Sequence, residues 1–257
     1  MNKDQVFLFL THVYSEEIHG EFKKLQRATR TMGECVLLYQ QKSGSSVDRR
    51  ISAIPHCIHA DRDLINLSDA PYFADSPDCF KPDRSLIKFS REHKFKYYWV
   101  IEYDVRFSGD WERFFSYFSE GNEDFLTSHI RSYAQEPGWF FWGLEGFDKK
   151  IEPAKALRSF NPIFRISCPA LEYMQQMYLK GWTGIYEALI PTLLRQGNFT
   201  LRDFGGSGDF VLPQDINHFY LDSSGAELSD GTMRYRPPHN SSAGWPENKL
   251  IHPVKPL

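Results

Sequence analysis

The first 40 residues alternate between short apolar runs and one amphipathic segment. Residues 6–11 and 34–39 are rich in aliphatic and aromatic side chains, which predicts two buried strands. Between them, Ser15 is suited to cap a helix with acidic residues in its first turn, and Gly33 follows the expected helix end near residue 31. The chain is therefore predicted to begin with a β-α-β unit.

The alternation continues to about residue 130. Residues 83–93 predict a helix and residues 97–101 a strand, Gly109-Asp110 opens a helix over residues 111–118, and residues 124–128 predict a further short strand. Strands alternating with helices indicate an α/β fold with an open, mostly parallel, Rossmann-like central sheet flanked by helices. Ligands of such sheets bind beyond the carboxyl ends of the strands.

The second half has a less regular pattern. Residues 158–167 are strand-like but interrupted by Pro162, and two helices are predicted over residues 169–179 and 183–196. From residue 203 onward Gly, Ser, Pro and Asn dominate. No change of composition requires a domain boundary, so we expect one domain over residues 1–257 that ends in a C-terminal tail.

The bulk composition excludes some classes of protein. Acidic and basic residues nearly balance, at 33 against 30, so no general attraction to nucleic acid is expected. The four cysteines form no C-x-x-C pair, which favours free thiols in a reducing compartment. The apolar run at residues 6–10 is too short for a signal sequence or a membrane span. We expect a cytoplasmic protein.

The candidate chemistry is concentrated where the strand over residues 97–101 ends. Glu102 and Asp104 follow it with one residue between them, so in an extended chain both carboxylates project to the same side. Two carboxylates at the end of a buried strand suit a divalent cation. The alternative is a strand end covered by solvated acids, with Arg106 as an ion-pair partner.

Two motifs resemble those of GT-A glycosyltransferases. The triplet Glu102-Tyr103-Asp104 is similar to the acid-x-acid signature through which these enzymes hold a nucleotide-sugar diphosphate by way of a metal, with Glu in place of the more usual first Asp. The closing segment His252-Pro253-Val254-Lys255 resembles the C-terminal element that completes the metal site in several of them. The resemblance implies a GT-A-like domain, with a nucleotide-sugar-binding half at residues 1–130 and an acceptor-side half with a metal-completing tail at residues 131–257.

The resemblance also implies roles for individual residues. Asp104 and His252 would bind Mn²⁺ or Mg²⁺, and Glu102 would act through water or the ribose. Lys255 would meet a phosphate, and Thr11, at the end of the first strand, would lie near the nucleobase. For His252 and Lys255 the alternative is a frayed, solvated chain end, although neighbouring apolar residues give the tail something to bury.

Glu187 is the residue that we expect to act as the catalytic base. Inverting GT-A enzymes place such a carboxylate near a helix N-terminus facing the acceptor hydroxyl, and Glu187 begins a predicted helix. Asp110 and Asp203 are weaker candidates for the same role. An exposed helix glutamate is the alternative, and a retaining mechanism returns if Glu187 lies away from the acceptor.

Three tryptophans and two arginines complete the set of candidates. Trp139, Trp142 and Trp182 lie in Gly-flanked, loop-like segments and could form the wall of an acceptor sugar site, although core packing is at least as good an explanation for each of them. Arg158 and Arg165 could bind phosphate or an anionic acceptor, and ordinary ion pairs explain them equally well.

These observations predict a metal-dependent glycosyltransferase. It would move a sugar from a nucleotide diphosphate, a UDP-sugar above all, to a hydroxyl of a glycan or lipid-linked glycan, as in polysaccharide biosynthesis. Peripheral association with the inner face of a membrane is compatible with that acceptor. The alternative is a carbohydrate-binding or inactive homologue. Neither a G-x-x-x-x-G-K-[ST] loop nor a G-x-G-x-x-G after a strand is present, so nucleotide binding through those glycine loops is not expected.

Overall fold

A computed structural model describes residues 4–60, 64, 82–145, 150–223, 225–239 and 244–255. Its central sheet has seven strands: β1 Gln5–Thr11, β2 Glu34–Gln41, β3 His56–Ala60, β4 Tyr97–Glu102, β6 Phe125–Ser132, β9 Leu157–Ser167 and β10 Leu201–Asp203. Among the described residues, five helices accompany it: α1 Glu16–Thr29, α2 Pro82–Glu92, α3 Trp111–Ser119, α4 Cys168–Leu179 and α5 Tyr186–Gln196. Two small antiparallel pairs join β5 Arg106–Phe107 to β11 Leu250–Ile251, and β7 Leu144–Glu145 to β8 Lys150–Ile151.

The sheet has the strand order β10-β6-β9-β4-β1-β2-β3. Only β9 runs antiparallel to its neighbours β4 and β6, and the other paired strands are parallel. The predicted open, mostly parallel, Rossmann-like sheet flanked by helices is therefore confirmed. Strands from both sides of residue 130 share this sheet, and the functional division of the chain at that point stays a prediction.

Both faces of the sheet are buried, which explains why its strands read as nearly continuous apolar runs. Alternate residues of β1 enter two different cores: Val6 and Leu8 pack with α2, α4 and α5, whereas Phe7 and Phe9 pack with α1 and α3. The side-chain period of two in a strand produces this division. The helices thus fix the position of β1 and β4 from both sides.

Two sequence expectations require correction. Pro162 does not interrupt its strand, because it lies beyond the last pair with β4, Ile101 with Ile163, and within a shift of register against β6. Helix α5 begins at Tyr186 rather than at residue 183, since Gly184 adopts φ 147°, a conformation that side chains disfavour.

The C-terminal segment is anchored beside β4 and is not frayed. Strand β11 pairs with β5, which begins two residues after Asp104, and Leu250 and Ile251 are fully buried. The backbone N–H of His252 donates to Thr232 O at 2.9 Å, and that of Val254 donates to Asp104 O at 2.8 Å. The tail therefore lies against the residues that its sequence predicted it would meet.

Three of the four cysteines, Cys35, Cys57 and Cys168, are free thiols, and Cys79 lies outside the described residues. Within the described part of the chain, no helix has both the length and the apolar character that crossing a bilayer demands.

Candidate metal centre and adjoining cavity

The acid-x-acid triplet lies at the carboxyl end of β4, in the middle of the sheet. Glu102 is the last residue of the strand and is paired with Leu10 of β1. The chain then turns, with Val105 N–H donating to Glu102 O at 3.0 Å. Asp104 is therefore placed by a turn and not by the strand alternation that the sequence suggested. The turn nevertheless brings both carboxylates to the same cavity.

Arg106 holds this turn in place. Its buried guanidinium donates to the carbonyl oxygens of Tyr103 at 2.7 Å and Val105 at 3.1 Å, and it pairs with Glu17 of α1 at 3.0 Å. The predicted alternative, in which Arg106 pairs with the acids of the triplet, is thus replaced by a pairing with α1. Arg106 therefore does not occupy either carboxylate of the triplet.

His252 faces Asp104 through its Nε2 atom. Nε2 lies 3.5 Å from Asp104 Oδ1, and both side chains are buried, with 7% and 2% of their residue surface exposed. The other ring nitrogen, Nδ1, donates its hydrogen to Arg234 O at 2.8 Å. One ligand atom each from Glu102, Asp104 and His252 lie within 4.8 Å of one another.

This arrangement fits a divalent cation. Because Nδ1 carries the hydrogen, the neutral ring presents a lone pair at Nε2, and burial favours that form by lowering the pKa of His252. Its neighbour Asp104 Oδ1 is buried and has no hydrogen-bond partner among the described residues. Two unprotonated acceptors that face each other repel unless a proton or a metal cation lies between them. Carboxylate oxygens with one imidazole are a ligand set that Mn²⁺ accepts and Mg²⁺ tolerates.

The Glu102 carboxyl also lies beside other acidic groups. Burial raises its pKa well above the ordinary value, and the neighbouring charges of Asp104 and Glu187 raise it further. A metal ion would relieve this repulsion, because a divalent charge favours the ionised form of each carboxylate.

Lys255 partly balances the charge of these acids. Its ammonium donates to Asp104 Oδ2 and lies 3.5 Å from Tyr103 Oη. Burial alone would lower the pKa of Lys255, but the Asp104 carboxylate raises it overall. The lysine side chain is 51% exposed, so this pair joins a buried anion to a cation at the surface.

A cavity of about 510 Å³ opens in front of these residues. It is lined by the carboxylates Glu102, Asp104 and Glu187, by His252, by the cations Arg236 and Lys255, and by the aromatic rings of Phe160, Tyr186 and Tyr235. Antiparallel β9 supplies one wall, because its residues before Ile163 extend past the carboxyl end of β4. The volume and the mixture of rings and charged groups suit a small polar ligand.

Glu187 lies in the first turn of α5 and faces this cavity. Burial raises the pKa of its carboxyl to about 7, despite the opposing effects of Arg158 and of a hydrogen bond from the Asn161 backbone. The helix is held against β9, where Ser159 Oγ donates to Glu187 O at 3.2 Å. A carboxylate with a pKa near neutrality is suited to general-base chemistry.

Other predicted site residues have structural contacts. Thr11 is fully buried. Its hydroxyl donates to Val13 O and accepts from Val13 N–H, so both of its hydrogen bonds are made within the loop after β1. Asp110 caps α3 by accepting from Glu112 N–H at 2.8 Å. Asp203 accepts from the N–H groups of Ile130 and Gly205. The proposed nucleobase contact of Thr11 gains no support from this position.

The two arginines are both engaged. Arg165 is fully buried and donates to the carbonyl oxygens of Phe118, Gly121 and Glu123. Arg158 pairs with Glu136. The ordinary structural explanation therefore accounts for Arg165, and Arg158 reaches the site only through its effect on Glu187.

The three tryptophans do not line the cavity. Trp142 is buried and donates from Nε1 to Glu136 O at 3.0 Å, whereas Trp139 and Trp182 are partly buried against the same core. The rings that do line it are those of Phe160, Tyr186 and Tyr235, which the sequence analysis did not select. A signal was available for Tyr235 alone, in the run Arg234-Tyr-Arg-Pro-Pro238, where two cations and two prolines surround it.

Comparisons with known proteins give matches of structure only. No protein-family model and no curated protein matches the sequence. The structure of a CMP-2-keto-3-deoxy-manno-octonic acid synthetase bound to CTP is 11% identical, with a TM-score of 0.41, and the match covers 81% of this chain and 94% of that one.

A second solved structure is similar to the same extent. It is described as a glucose-1-phosphate thymidylyltransferase from Bacillus anthracis in complex with sucrose, and it is 13% identical with a TM-score of 0.42, over 80% of this chain and 88% of that one. Similarities of this size do not indicate a shared function.

Proposed function

We propose that this protein is a metal-dependent glycosyltransferase. It would transfer a sugar from a nucleotide diphosphate donor, a UDP-sugar, to a hydroxyl group of a glycan or lipid-linked glycan. The single observation that carries the proposal is the convergence of Glu102, Asp104 and His252 at a cavity that Glu187 also lines.

The donor half of the proposed site uses the residues at the end of β4. Asp104 and His252 would hold Mn²⁺ or Mg²⁺ directly, and Glu102 would act through water or the donor ribose. When bound, the metal would supply positive charge that stabilises the departing diphosphate. Lys255, which lines the same cavity, would contact a phosphate oxygen.

The acceptor half of the proposed site uses Glu187. As an acceptor hydroxyl oxygen attacks the anomeric carbon, Glu187 takes the hydroxyl proton, and the bond from that carbon to the diphosphate oxygen breaks with its electron pair. A single displacement of this kind inverts the anomeric centre. The pKa of Glu187, about 7, lets a large fraction of the carboxylate be ionised at neutral pH.

The proposal is tested by an Asp104→Asn substitution. Binding of Mn²⁺ and of UDP is measured by isothermal titration calorimetry, and hydrolysis of a panel of UDP-sugars is followed by UDP release. We expect the wild type to bind UDP only with Mn²⁺ present and to hydrolyse at least one donor slowly. Asp104→Asn should weaken Mn²⁺ binding by at least roughly 100-fold, because the principal anionic ligand is lost.

Asp110→Asn is the matched control. It makes the same chemical change at a helix cap, where asparagine serves as well as aspartate, and it should leave binding and hydrolysis unchanged. Near-wild-type donor turnover in Asp104→Asn would refute the metal assignment. Sugar binding by a wild type that shows no metal-dependent hydrolysis would favour the alternative, a carbohydrate-binding or inactive homologue.

A further inference from the structure

Lys255 is in contact with the carboxylate that we propose as the principal metal ligand. Its ammonium donates to Asp104 Oδ2, and it lies 5.3 Å from the centre of the Tyr103 ring. Asp104 is 2% exposed, whereas the Lys255 side chain is 51% exposed. The pair therefore joins a fixed, buried anion to a compact charge on a flexible stem.

The backbone that precedes Lys255 is held by two hydrogen bonds. Val254 N–H donates to Asp104 O at 2.8 Å, and His239 N–H donates to Pro253 O at 2.9 Å. From this anchored position the four-carbon stem of Lys255 reaches both Asp104 and the open cavity, whose wall it forms.

The charges of the site oppose simultaneous binding of the ammonium and a divalent cation. Asp104 Oδ1 faces His252 Nε2, and Oδ2 of the same carboxylate receives the ammonium. A metal at Oδ1 would bring two further positive charges to a carboxylate that already has a cationic partner. An incoming diphosphate, in contrast, offers several negative oxygens to a lysine in the cavity wall.

We infer that Lys255 is an exchangeable counter-ion of the metal site, which neutralises Asp104 before the metal binds and transfers to the donor diphosphate afterwards. The inference rests on the proposed metal site and adds a binding order to it. When nucleotide is absent, Lys255 and the metal compete for Asp104. When nucleotide is present, both bind the diphosphate. Metal is thereby favoured to enter together with the donor.

The test uses Lys255→Met, which removes the charge and keeps an unbranched apolar stem. Mn²⁺ is titrated into the full-length protein without nucleotide, and UDP is then titrated into the Mn²⁺-saturated protein. We expect Lys255→Met to bind Mn²⁺ roughly 3- to 20-fold more tightly than the wild type, because the competing ion pair is lost. The same variant should bind UDP more weakly by a similar factor.

Lys249→Met is the matched control. Lys249 lies in the same C-terminal segment, but its ammonium donates to His218 O at 2.7 Å. Its removal should change both affinities by less than about twofold, since it alters the net charge without touching the site. Thermal unfolding of both variants verifies that the fold is retained. A crystal structure with Mn²⁺ and UDP should place Lys255 Nζ against a phosphate oxygen.

The outcomes separate the inference from the proposed function. Mn²⁺ binding by Lys255→Met that equals or falls below that of the wild type overturns the inference, and a decrease would show that Lys255 orients Asp104 for the metal. A wild type that binds no Mn²⁺ either without or with UDP refutes the proposed metal site, and the inference with it. Wild-type UDP affinity in Lys255→Met would exclude transfer to the diphosphate.

Discussion

The hydrogen bond from His252 Nδ1 to the Arg234 carbonyl determines what this histidine can do. It fixes the tautomer whose free lone pair, at Nε2, faces Asp104 Oδ1. The sequence indicated, through the resemblance of two motifs, that His252 and Asp104 belong to the same site. It gave no indication of Arg234, because the group involved is a backbone carbonyl, which every residue possesses.

Glu187→Gln tests the proposed base. In metal-saturated wild type, kcat/KM should rise with pH and level off above about 7, since burial raises the pKa of Glu187 to about 7 and the base must be ionised. Glu187→Gln should lower kcat by roughly 10²- to 10⁴-fold while Mn²⁺ affinity is retained. The measurement is steady-state kinetics between pH 5 and pH 9.

Glu112→Gln is the control for this experiment, because Glu112 occupies the first turn of another helix and is exposed. It should retain wild-type rates. A Glu187→Gln variant that keeps both the rate and the pH dependence of the wild type would remove Glu187 from the mechanism.

The Glu187 carboxyl should also make the stability of the fold depend on pH. A salt-bridged acid stabilises the fold as the pH rises, and Glu187 should do the opposite. Its pKa is about 7 in the folded state against an ordinary 4.5, so between these values the folded state binds more protons than the unfolded state. Stability therefore falls as pH rises through this window, and the full penalty is present above pH 7. Glu187→Gln should raise the Tm at pH 8 by roughly 2–6 °C.

That gain should shrink as the pH falls towards 4.5 and vanish below it, where Glu187 is protonated in both states. Thermal unfolding at pH 5 and pH 8 gives the comparison. A variant less stable than wild type at pH 8 would show that the Glu187 carboxylate is held favourably in the fold.

At the scale of elements, N-cap residues were the most reliable sequence signal for where helices begin. Ser15 Oγ accepts from Ile18 N–H at the start of α1, and Asp110 caps α3, both as predicted. The antiparallel insertion of β9 between β4 and β6 could not be predicted, because an apolar run does not specify its neighbours. The pairing of β5 with β11 could not be predicted from the sequence either, because each strand has only two residues and the two strands are far apart in the chain.

The Gly-flanked aromatic segment was ambiguous for a related reason. Glycine and tryptophan in a loop left both a sugar-binding wall and core packing open, and Trp142 is buried in a core, with its indole N–H donating to the Glu136 carbonyl. Local composition identifies a loop, but it does not identify which core the loop covers.

Leu250→Ala tests how the tail element supports the site. Leu250 is fully buried in the core formed with α1 and α3, so the substitution should reduce the free energy of unfolding by about 2–5 kcal/mol. Because Leu250 lies two residues before His252, Mn²⁺ affinity should fall as well. Urea denaturation and calorimetry provide the two measurements.

Leu179→Ala is the control, because Leu179 is 65% exposed at the end of α4. Its effect on unfolding should stay within about 0.5 kcal/mol. If Leu250→Ala behaved like this control, the tail would not be an integral part of the fold.

At the scale of the whole molecule, the sheet topology creates the site. Parallel β1 and β4 end at the same edge, and antiparallel β9 continues past that edge to form a wall of the cavity. The tail reaches the same place from the far end of the chain through β11. The position of the candidate site at the carboxyl edge was predictable from strand alternation, whereas the wall and the tail depend on non-local pairing.

The most direct test of the central claim is anomalous diffraction at the manganese absorption edge from crystals grown with Mn²⁺ and UDP. The account predicts one strong peak within coordinating distance of Asp104 Oδ1 and His252 Nε2, beside Glu102 and in contact with the diphosphate. A peak elsewhere, or ordered UDP without manganese at these residues, would contradict it.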